Sequence, residues 1–391
     1  MKWGRYAACT LAGVALGFSL SACAPDKSTE TKVNEVKTAP SSLEVEDEKN
    51  FAVLMAKYSS AVLPTQPWVG YWWPYTGAGI ASTFRDEQKQ SPADKYDRAY
   101  QEHLKTQGID VSSGYLSAAV WERSRHGPGL GIVSGWWGHC DGWAAASLMT
   151  PEPREPREID GVIFNVRDQK ALLSEAWLEF SSDFVGERVN ESGDFSSAAF
   201  WDVVPAQFHL ILSNVMAKQG RGVIFDRHTG DQVWNHPVVA YEFDAIKPDD
   251  DIGAHPQYPN VYRVNVSARI WWANDDVGAD DITPKFDLDV YRQKKSDRYF
   301  STRKLRYELW LDGPLRFDEN GSLLSSGNIL VGRAAGIYVG GVWKNGVDRA
   351  RLVHSHPDYM WMPFALRSEG YRKNPRIDDG WIRTNLMSAN Q

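Results

Sequence analysis

The feature that most constrains this sequence is a glycine-rich segment with one cysteine, residues 135–143, which leads directly into a run of small residues. Glycine permits a sharp turn, and the Ala, Ser, Leu and Met residues over 144–149 favour a helix. We therefore predict a tight turn over residues 138–141 that places Cys140 in the first turn of a helix. The N–H groups and the dipole at a helix N-terminus favour the nucleophilic thiolate. The alternative is a small, buried apolar residue.

The start of the chain has the pattern of an exported lipoprotein. A basic start and an apolar run over residues 11–20, too short to span a bilayer, predict a signal peptide over residues 1–22. The residues before Cys23 resemble a bacterial lipobox, which implies cleavage there and lipidation of the Cys23 thiol. The following residue is Ala24 rather than aspartate, which favours the outer membrane of the cell envelope. An ordinary secretory signal with a chance cysteine is the alternative.

The three cysteines of the chain then separate by role. Cys9 leaves with the signal peptide, Cys23 carries the lipid, and Cys140 remains alone, so the mature protein has no internal disulfide bond. A single leftover thiol in an exported protein favours a chemical role for Cys140.

The composition describes a soluble globular protein, with 24% charged and 42% apolar residues. A net charge of −7 without any basic tract argues against nucleic acid as a partner. The 17 tryptophans indicate either a large aromatic core or a surface that stacks on sugars or peptides, and the core is the simpler interpretation.

The chain divides into a tether and a globular part. Residues 23–50 are polar and mixed in charge, which predicts a disordered, lipidated tether. Residues 51–130 form a helical and aromatic region, either a lobe or a pro-segment, and residues 131–391 form the predicted catalytic core. Periodicity and turn residues predict helices over 51–63, 91–97, 140–150, 168–180 and 205–214, and strands over 222–226, 232–243, 261–272, 307–311 and 336–343. Helices first and strands later indicate an α+β fold.

A cysteine at a helix N-terminus, followed much later by a histidine on a strand, is the arrangement of papain-like thiol enzymes. His236 begins an apolar strand and is the predicted general base. The next strand ends at Asn274 and Asp275, either of which could orient the imidazole, although both could be turn residues. His209 lies on an apolar helix and is either a core histidine or the alternative base. The Cys140 N–H is one predicted oxyanion donor.

The sequence shows no metal cage built from closely spaced histidines and cysteines. His139 is adjacent to Cys140 and points away from it, so it is not the predicted base. An acidic stretch offers oxygen ligands that suit calcium but lacks the spacing of an EF-hand; its members are Asp275, Asp276, Asp280 and Asp281. A solvated loop is the simpler interpretation.

Several separated segments resemble the transglutaminase elicitor family of oomycete cell walls, which has relatives in marine bacteria. They are the Cys140 segment and residues 91–96, 208–214, 233–238, 340–343 and 356–361. The resemblance implies a papain-like core, Cys140 as nucleophile, and calcium dependence. It also implies acyl transfer from a protein glutamine to a lysine amine. His236 stands where the elicitor peptide carries glutamine, which leaves His209 open as the base.

The sequence therefore predicts a lipid-anchored, transglutaminase-type acyltransferase with glutamine and amine substrates. A papain-like cysteine peptidase or amidase is the alternative within enzymes, because water can also discharge the thioester. A non-catalytic cell-surface binding module is the alternative outside enzymes, and it predicts a buried Cys140 without an imidazole beside it.

Overall fold

The computed structural model describes most of the chain from residue 47 onward. The described ranges are 47–83, 89–127, 133–186, 203–227, 232–250, 252–256, 258–294, 296–330, 357–367, 369–370 and 372–387. The predicted signal peptide, Cys23, most of the predicted tether and the predicted strand over 336–343 lie outside these residues. Within the described part of the chain, no helix combines the length and apolar character needed to cross a membrane.

The helices begin at residues that suit their first turns. α2, for example, starts at Pro92 after Ser91, whose side chain and that of Asp94 each bond the other's backbone N–H. α4 ends at Met149, two residues before Pro151, as the sequence predicts. The helices are α1 (Phe51–Tyr58), α2 (Pro92–Thr106), α3 (Ala118–Arg125), α4 (Cys140–Met149), α5 (Val166–Ala176), α6 (Pro205–Leu210), α7 (Leu288–Gln293) and α8 (Asp379–Ile382); π-helical turns Ile211–Lys218 and Arg383–Met387 continue α6 and α8.

The strands form one large antiparallel sheet and two small hairpins. They are β1 (Ser60–Val62), β2 (Arg157–Ile159), β3 (Val162–Phe164), β4 (Phe180–Gly186), β5 (Ile224–Asp226), β6 (Asn235–Phe243), β7 (Ile252–Ala254), β8 (Tyr262–Ala273), β9 (Phe300–Leu311), β10 (Arg316–Phe317), β11 (Leu323–Ser325) and β12 (Tyr359–Leu366). The sheet order is β4-β12-β5-β6-β8-β7, with β1 also paired to β6 and β9 to β8. β6 is therefore central, and β2 pairs with β3 and β10 with β11.

The core lies between this sheet and the helices, and α4 is buried within it. The described residues of α4 from Cys140 to Leu148 are all buried, which its glycine and alanines allow because a helix hidden on every side needs small or apolar side chains. Much of the tryptophan content serves this core: the largest fully buried side chains include Trp68, Trp73, Trp143, Trp271 and Trp361.

The predicted mixture of helix and antiparallel sheet is confirmed, with local differences. The helix predicted over 51–63 ends at Tyr58, because residues 60–62 leave it to pair with β6 as β1. Tertiary pairing here outweighs local helical pattern. α3 and β4 were not predicted. Residues 51–130 supply β1 and several buried aromatic side chains, and the proposed division at residue 130 stays a prediction.

α4 approaches α5 closely at a single glycine. A Cβ on Gly142 would lie 2.2 Å from the Ser174 carbonyl oxygen and 3.0 Å from Leu178 Cδ2. Because the nearest atom belongs to the backbone of α5, a side chain at this position would push the two helices apart.

Gly142→Ala should lower the free energy of unfolding by about 1–3 kcal/mol, since overpacking outweighs the gain of about 1 kcal/mol in helix propensity. Urea unfolding followed by circular dichroism measures the change. Gly135→Ala is the control, because its Cβ would meet none of the described residues within 4 Å, and it should change stability by less than about 0.5 kcal/mol. Equal stability of the two variants would contradict the close approach.

Candidate active site

Cys140 is the first residue of α4 and is completely buried. The preceding residue, His139, donates its backbone N–H to the Trp72 carbonyl oxygen at 2.6 Å, which ties the start of the helix to the N-terminal region. The Cys140 Sγ lies 3.9 Å from the Val233 carbonyl oxygen and 3.7 Å from Asn235 Nδ2. The thiol thus sits between the helix N-terminus and the start of β6.

Asn235 presents a hydrogen-bond donor to the sulfur because two aromatic residues hold the other side of its amide. Its Oδ1 accepts from Trp361 Nε1 at 2.9 Å and from the Tyr359 hydroxyl at 3.3 Å. An indole N–H can only donate, so the amide oxygen faces Trp361 and the NH₂ group faces Cys140. Both this NH₂ group and the positive end of α4 stabilise negative charge on sulfur.

His236 follows Asn235 on β6 and is paired with the adjacent strand. Its Nδ1 lies 3.1 Å from the Ala273 carbonyl oxygen; a carbonyl only accepts, so Nδ1 carries a proton. Its Nε2 lies 4.0 Å from Asp275 Oδ1. Burial raises the pKa of Asp275 to about 7; Arg227 opposes the shift and Asp276 adds to it. Asp275, rather than Asn274, therefore faces the imidazole.

Asn235 is a site residue that was not predicted from the sequence. Successive side chains on a strand point to opposite faces, so Asn235 and His236 face different sides where β6 is regular. The edge of the Trp143 ring, one turn along α4 from Cys140, approaches the His236 ring, with centroids 6.2 Å apart. The available signal was the alternation of side chains along residues 233–238. It separates Asn235 and His236 onto opposite faces of the strand.

His209 lies at the other end of β6 from Asn235. Its ring stacks on Phe243 with centroids 4.1 Å apart, and its Nδ1 lies 2.9 Å from the Tyr307 hydroxyl. Phe243 is eight residues along the strand from Asn235, roughly 25 Å away. Burial lowers the pKa of His209 to about 3. The structure thus makes His209 a core histidine, the interpretation left open by the sequence, and does not bring it to Cys140.

Asn274 also points elsewhere: its Nδ2 donates to the carbonyl oxygens of Asp297 and Arg298 at 3.3 and 3.1 Å. A loop contact between strands accounts for this residue, and Asp275 is the one of the two that lies beside His236.

The acidic stretch after β8 does not converge on one point. Asp275 is buried against His236, Asp280 accepts from the Arg167 backbone N–H, and Asp281 is paired with Arg298. Within the described residues, these carboxylates form no cage of oxygens, so the stretch does not fit the calcium ion that the resemblance implies. The buried position of Asp275 also differs from a solvated loop.

Two tryptophans meet beside the buried thiol. Trp72, whose carbonyl oxygen binds His139, contacts Trp234, and their ring centroids are 5.6 Å apart in an edge-to-face arrangement. Trp234 follows Val233, whose carbonyl oxygen touches Sγ. The contact therefore joins the two segments that flank Cys140.

Comparison with known proteins supports the resemblance inferred from the sequence. Residues 117–263 match the family model described as transglutaminase elicitor, a span that contains Cys140, His209, Asn235 and His236 but not Asp275. The fold is similar to the crystal structure of the GP42 transglutaminase from Phytophthora sojae, with a TM-score of 0.55 and 17% sequence identity over 88% of this chain and 94% of that one. At this identity the likeness shows the fold alone. No curated protein matches the sequence.

Asp275→Asn should flatten the pH dependence of stability. The Asp275 carboxyl, with its pKa raised to about 7 from about 3.9 in the unfolded chain, binds more protons when folded. Its contribution is fully present below pH 4 and is lost as the pH rises through 7. Urea unfolding between pH 4 and 8 should show the wild type losing stability relative to Asp275→Asn. Parallel curves would show that folding does not shift the pKa of this carboxyl.

Proposed function

We propose that the protein is a transglutaminase-type acyltransferase whose nucleophile is Cys140, held at the cell envelope by the predicted lipid on Cys23. The observation that carries the proposal is the position of the thiol at the start of α4, with Asn235 Nδ2 3.7 Å from Sγ and the His236–Asp275 pair beginning at the next residue of β6. The family match over residues 117–263 supports this reaction class.

In the proposed reaction the Cys140 thiolate attacks the carboxamide carbon of a protein glutamine. The tetrahedral intermediate collapses, the C–N bond breaks, and ammonia leaves with a proton from the general acid. A primary amine, such as a lysine side chain, then attacks the thioester and gives up a proton, which releases the thiol and leaves an isopeptide bond. No metal is required for the bonds to balance in these steps.

Each neighbouring group has a defined role in this scheme. In the closed conformation the Nδ1 of His236 bonds to the Ala273 carbonyl oxygen. Once the ring has turned toward the sulfur, His236 takes the thiol proton and later gives it to ammonia. Asp275, once ionised, stabilises the imidazolium. The Asn235 NH₂ group and the Cys140 N–H are the donors beside the sulfur, and we assign them to the developing oxyanion. A histidine, a carboxylate and an oxyanion donor arranged in this way around a thiol at a helix N-terminus would be papain-like.

Substrate access requires a change from the conformation described, because the Cys140 side chain has no exposed surface. The Trp72–Trp234 contact spans the two segments around the thiol, so separation of these rings is the proposed first step of opening. A closed site excludes water from the thioester, and this exclusion favours transfer to an amine over hydrolysis.

Complete burial of Cys140 also favours a second candidate, a non-catalytic module. In that case Cys140 is a packing residue and Asn235 only satisfies its sulfur. The two candidates differ in whether the thiol can be reached in the folded protein and in whether Cys140→Ala changes any activity.

The wild type should incorporate a labelled primary amine into a glutamine-rich protein. Cys140→Ala should abolish incorporation, because the covalent intermediate cannot form. His236→Gln should lower the rate by about 10²–10⁴-fold, the usual contribution of a general base. His209→Gln is the matched control and should retain activity within a few-fold of the wild type in the fraction that remains folded.

The outcomes separate the candidates. Equal loss in His209→Gln and His236→Gln, with both variants folded by circular dichroism, would contradict the assigned base. Release of ammonia without amine incorporation would indicate a hydrolase. If wild type and Cys140→Ala are equally inactive on every substrate, the non-catalytic module is favoured.

Trp72→Ala should increase the rate at which iodoacetamide modifies Cys140 in the folded protein by at least about tenfold. We expect this because loss of the indole removes an aromatic contact worth about 0.5–1.5 kcal/mol together with the area that it buries. Mass spectrometry of the modified peptide measures the rate. Tyr258→Ala, an aromatic truncation against Trp310, is the control. If both variants react as slowly as wild type, the tryptophan contact is not the cover.

A further inference from the structure

A second cluster of titratable side chains includes His139, the residue immediately before Cys140. His126 Nδ1 lies 2.9 Å from Glu122 Oε1, and His139 Nε2 lies 3.4 Å from the same oxygen. Glu122 and His139 have no exposed surface, and His126 is 9% exposed. The ligand atoms of these three residues all lie within 4.8 Å of one another. Glu122 lies in α3, His126 is the C-cap of α3, and His139 is the N-cap of α4.

His139 is the member of the cluster whose ring nitrogens are not satisfied by direct contacts within the described part of the chain. Although its ring is completely buried, neither Nδ1 nor Nε2 makes a hydrogen bond of good geometry to any of the described residues. The nearest carboxylate oxygens are Glu122 Oε1 at 3.4 Å and Glu175 Oε2 at 3.5 Å. A buried polar group without a hydrogen bond is destabilising, so a ligand between these groups would remove that penalty.

Two of the spacings in the cluster are close to those in the ligand shell of a small transition-metal ion. Zinc bonds to nitrogen and oxygen are about 2.0–2.2 Å long, and tetrahedral ligands of one ion are then about 3.3–3.5 Å apart. The two distances to Glu122 Oε1, 2.9 and 3.4 Å, are close to this separation. Two imidazoles and one carboxylate suit zinc and other borderline metals, whereas calcium prefers oxygen ligands alone.

Groups around the cluster are placed as supporting residues of a metal site. With Nε2 of His139 directed to a metal, its Nδ1–H faces Glu175 Oε2, an arrangement in which a carboxylate orients a metal-binding histidine. The Asn374 side chain donates to Glu122 Oε2 at 3.3 Å, which leaves Oε1 to face the two imidazoles. Tyr75 stacks on His126 with centroids 3.7 Å apart.

Glycine at position 79 is part of the same arrangement. A Cβ there would lie 2.3 Å from Glu122 Oε1 and 3.2 Å from His139 Cε1. Glycine, with φ of +54°, therefore lets the backbone pass beside the cluster without a side chain that would occupy the space next to the ligand atoms.

We propose that Glu122 Oε1, His126 Nδ1 and His139 Nε2 bind one zinc ion, with a water molecule or another group as the fourth ligand. The ion joins the end of α3 to the start of α4 and fixes the residue immediately before Cys140. Its binding does not depend on the proposed acyl transfer, so either can be wrong without the other.

A metal-free cluster is the competing interpretation, with Glu122 as a carboxylate between two imidazoles. It places the same residues at the same distances but predicts no uptake of zinc and no change in stability when zinc is added. No closely spaced histidines and cysteines mark this grouping in the sequence, because a glutamate and two histidines meet across residues 122–139.

The test is zinc binding by the purified protein. After treatment with a chelator and dialysis, wild type is expected to take up one equivalent of zinc by elemental analysis and to melt at a higher temperature with zinc than without. Competition with a chromogenic chelator gives the affinity. His126→Asn should weaken zinc binding by more than 100-fold, and Glu175→Gln should weaken it by about 10–100-fold, the usual effect of removing a supporting carboxylate.

Two controls keep the result specific to this cluster. His103→Asn removes a half-exposed histidine whose nearest carboxylate is Asp160, and Cys140→Ala removes the neighbouring thiol; both should bind zinc like wild type. Wild type that takes up no zinc overturns the proposal, as does equal affinity in His126→Asn and wild type. If His126→Asn fails to fold, unchanged affinity in folded Glu175→Gln overturns it instead.

Discussion

Close approach of backbone to backbone at the start of α4 is the constraint on which the rest of the structure depends. A Cβ on Gly138 would lie 2.5 Å from the Trp72 carbonyl oxygen, and one on Gly142 would lie 2.2 Å from the Ser174 carbonyl oxygen. Only glycine tolerates both contacts. Because these two glycines flank Cys140, the residues that shape the turn also remove the thiol from solvent. The burial of the Cys140 thiol is thus a direct consequence of the glycine spacing.

Burial at this point also determines which polar groups can lie nearby. A charge or imidazole away from water requires a partner of suitable chemistry. Asn235 meets this requirement through Trp361 and the Cys140 sulfur, and Glu122 meets it through His126 and Asn374. His139 differs because its two ring nitrogens face carboxylates without a well-formed hydrogen bond, and this difference is the reason for the metal proposal.

The parts of the fold that could be predicted from the sequence are those determined by residues close together in the chain. The turn before Cys140, the end of α4 ahead of Pro151, and the alternating strand that became β8 all follow from neighbouring residues. β12, in contrast, pairs with both β4 and β5, and a pairing between segments so far apart in the chain leaves no local pattern. The same limit applies to the site. Cys140 was found from its own flanks, whereas Asn235 and Glu122 gain their roles only from residues that the fold brings to them.

The order of Asn235 and His236 on β6 connects access to the thiol with its chemistry. A regular strand aims two successive side chains at opposite faces, and the pairing of β6 with β8 shifts register between Val238 and Ala240. Such irregularities redirect side chains near functional sites. On the proposed mechanism, His236 must turn toward the sulfur while Trp234, two residues earlier, separates from Trp72. Both changes involve residues 234–236, at the start of β6. The movement that admits a glutamine would therefore also bring the base into position, and a closed thiol would remain unreactive until then.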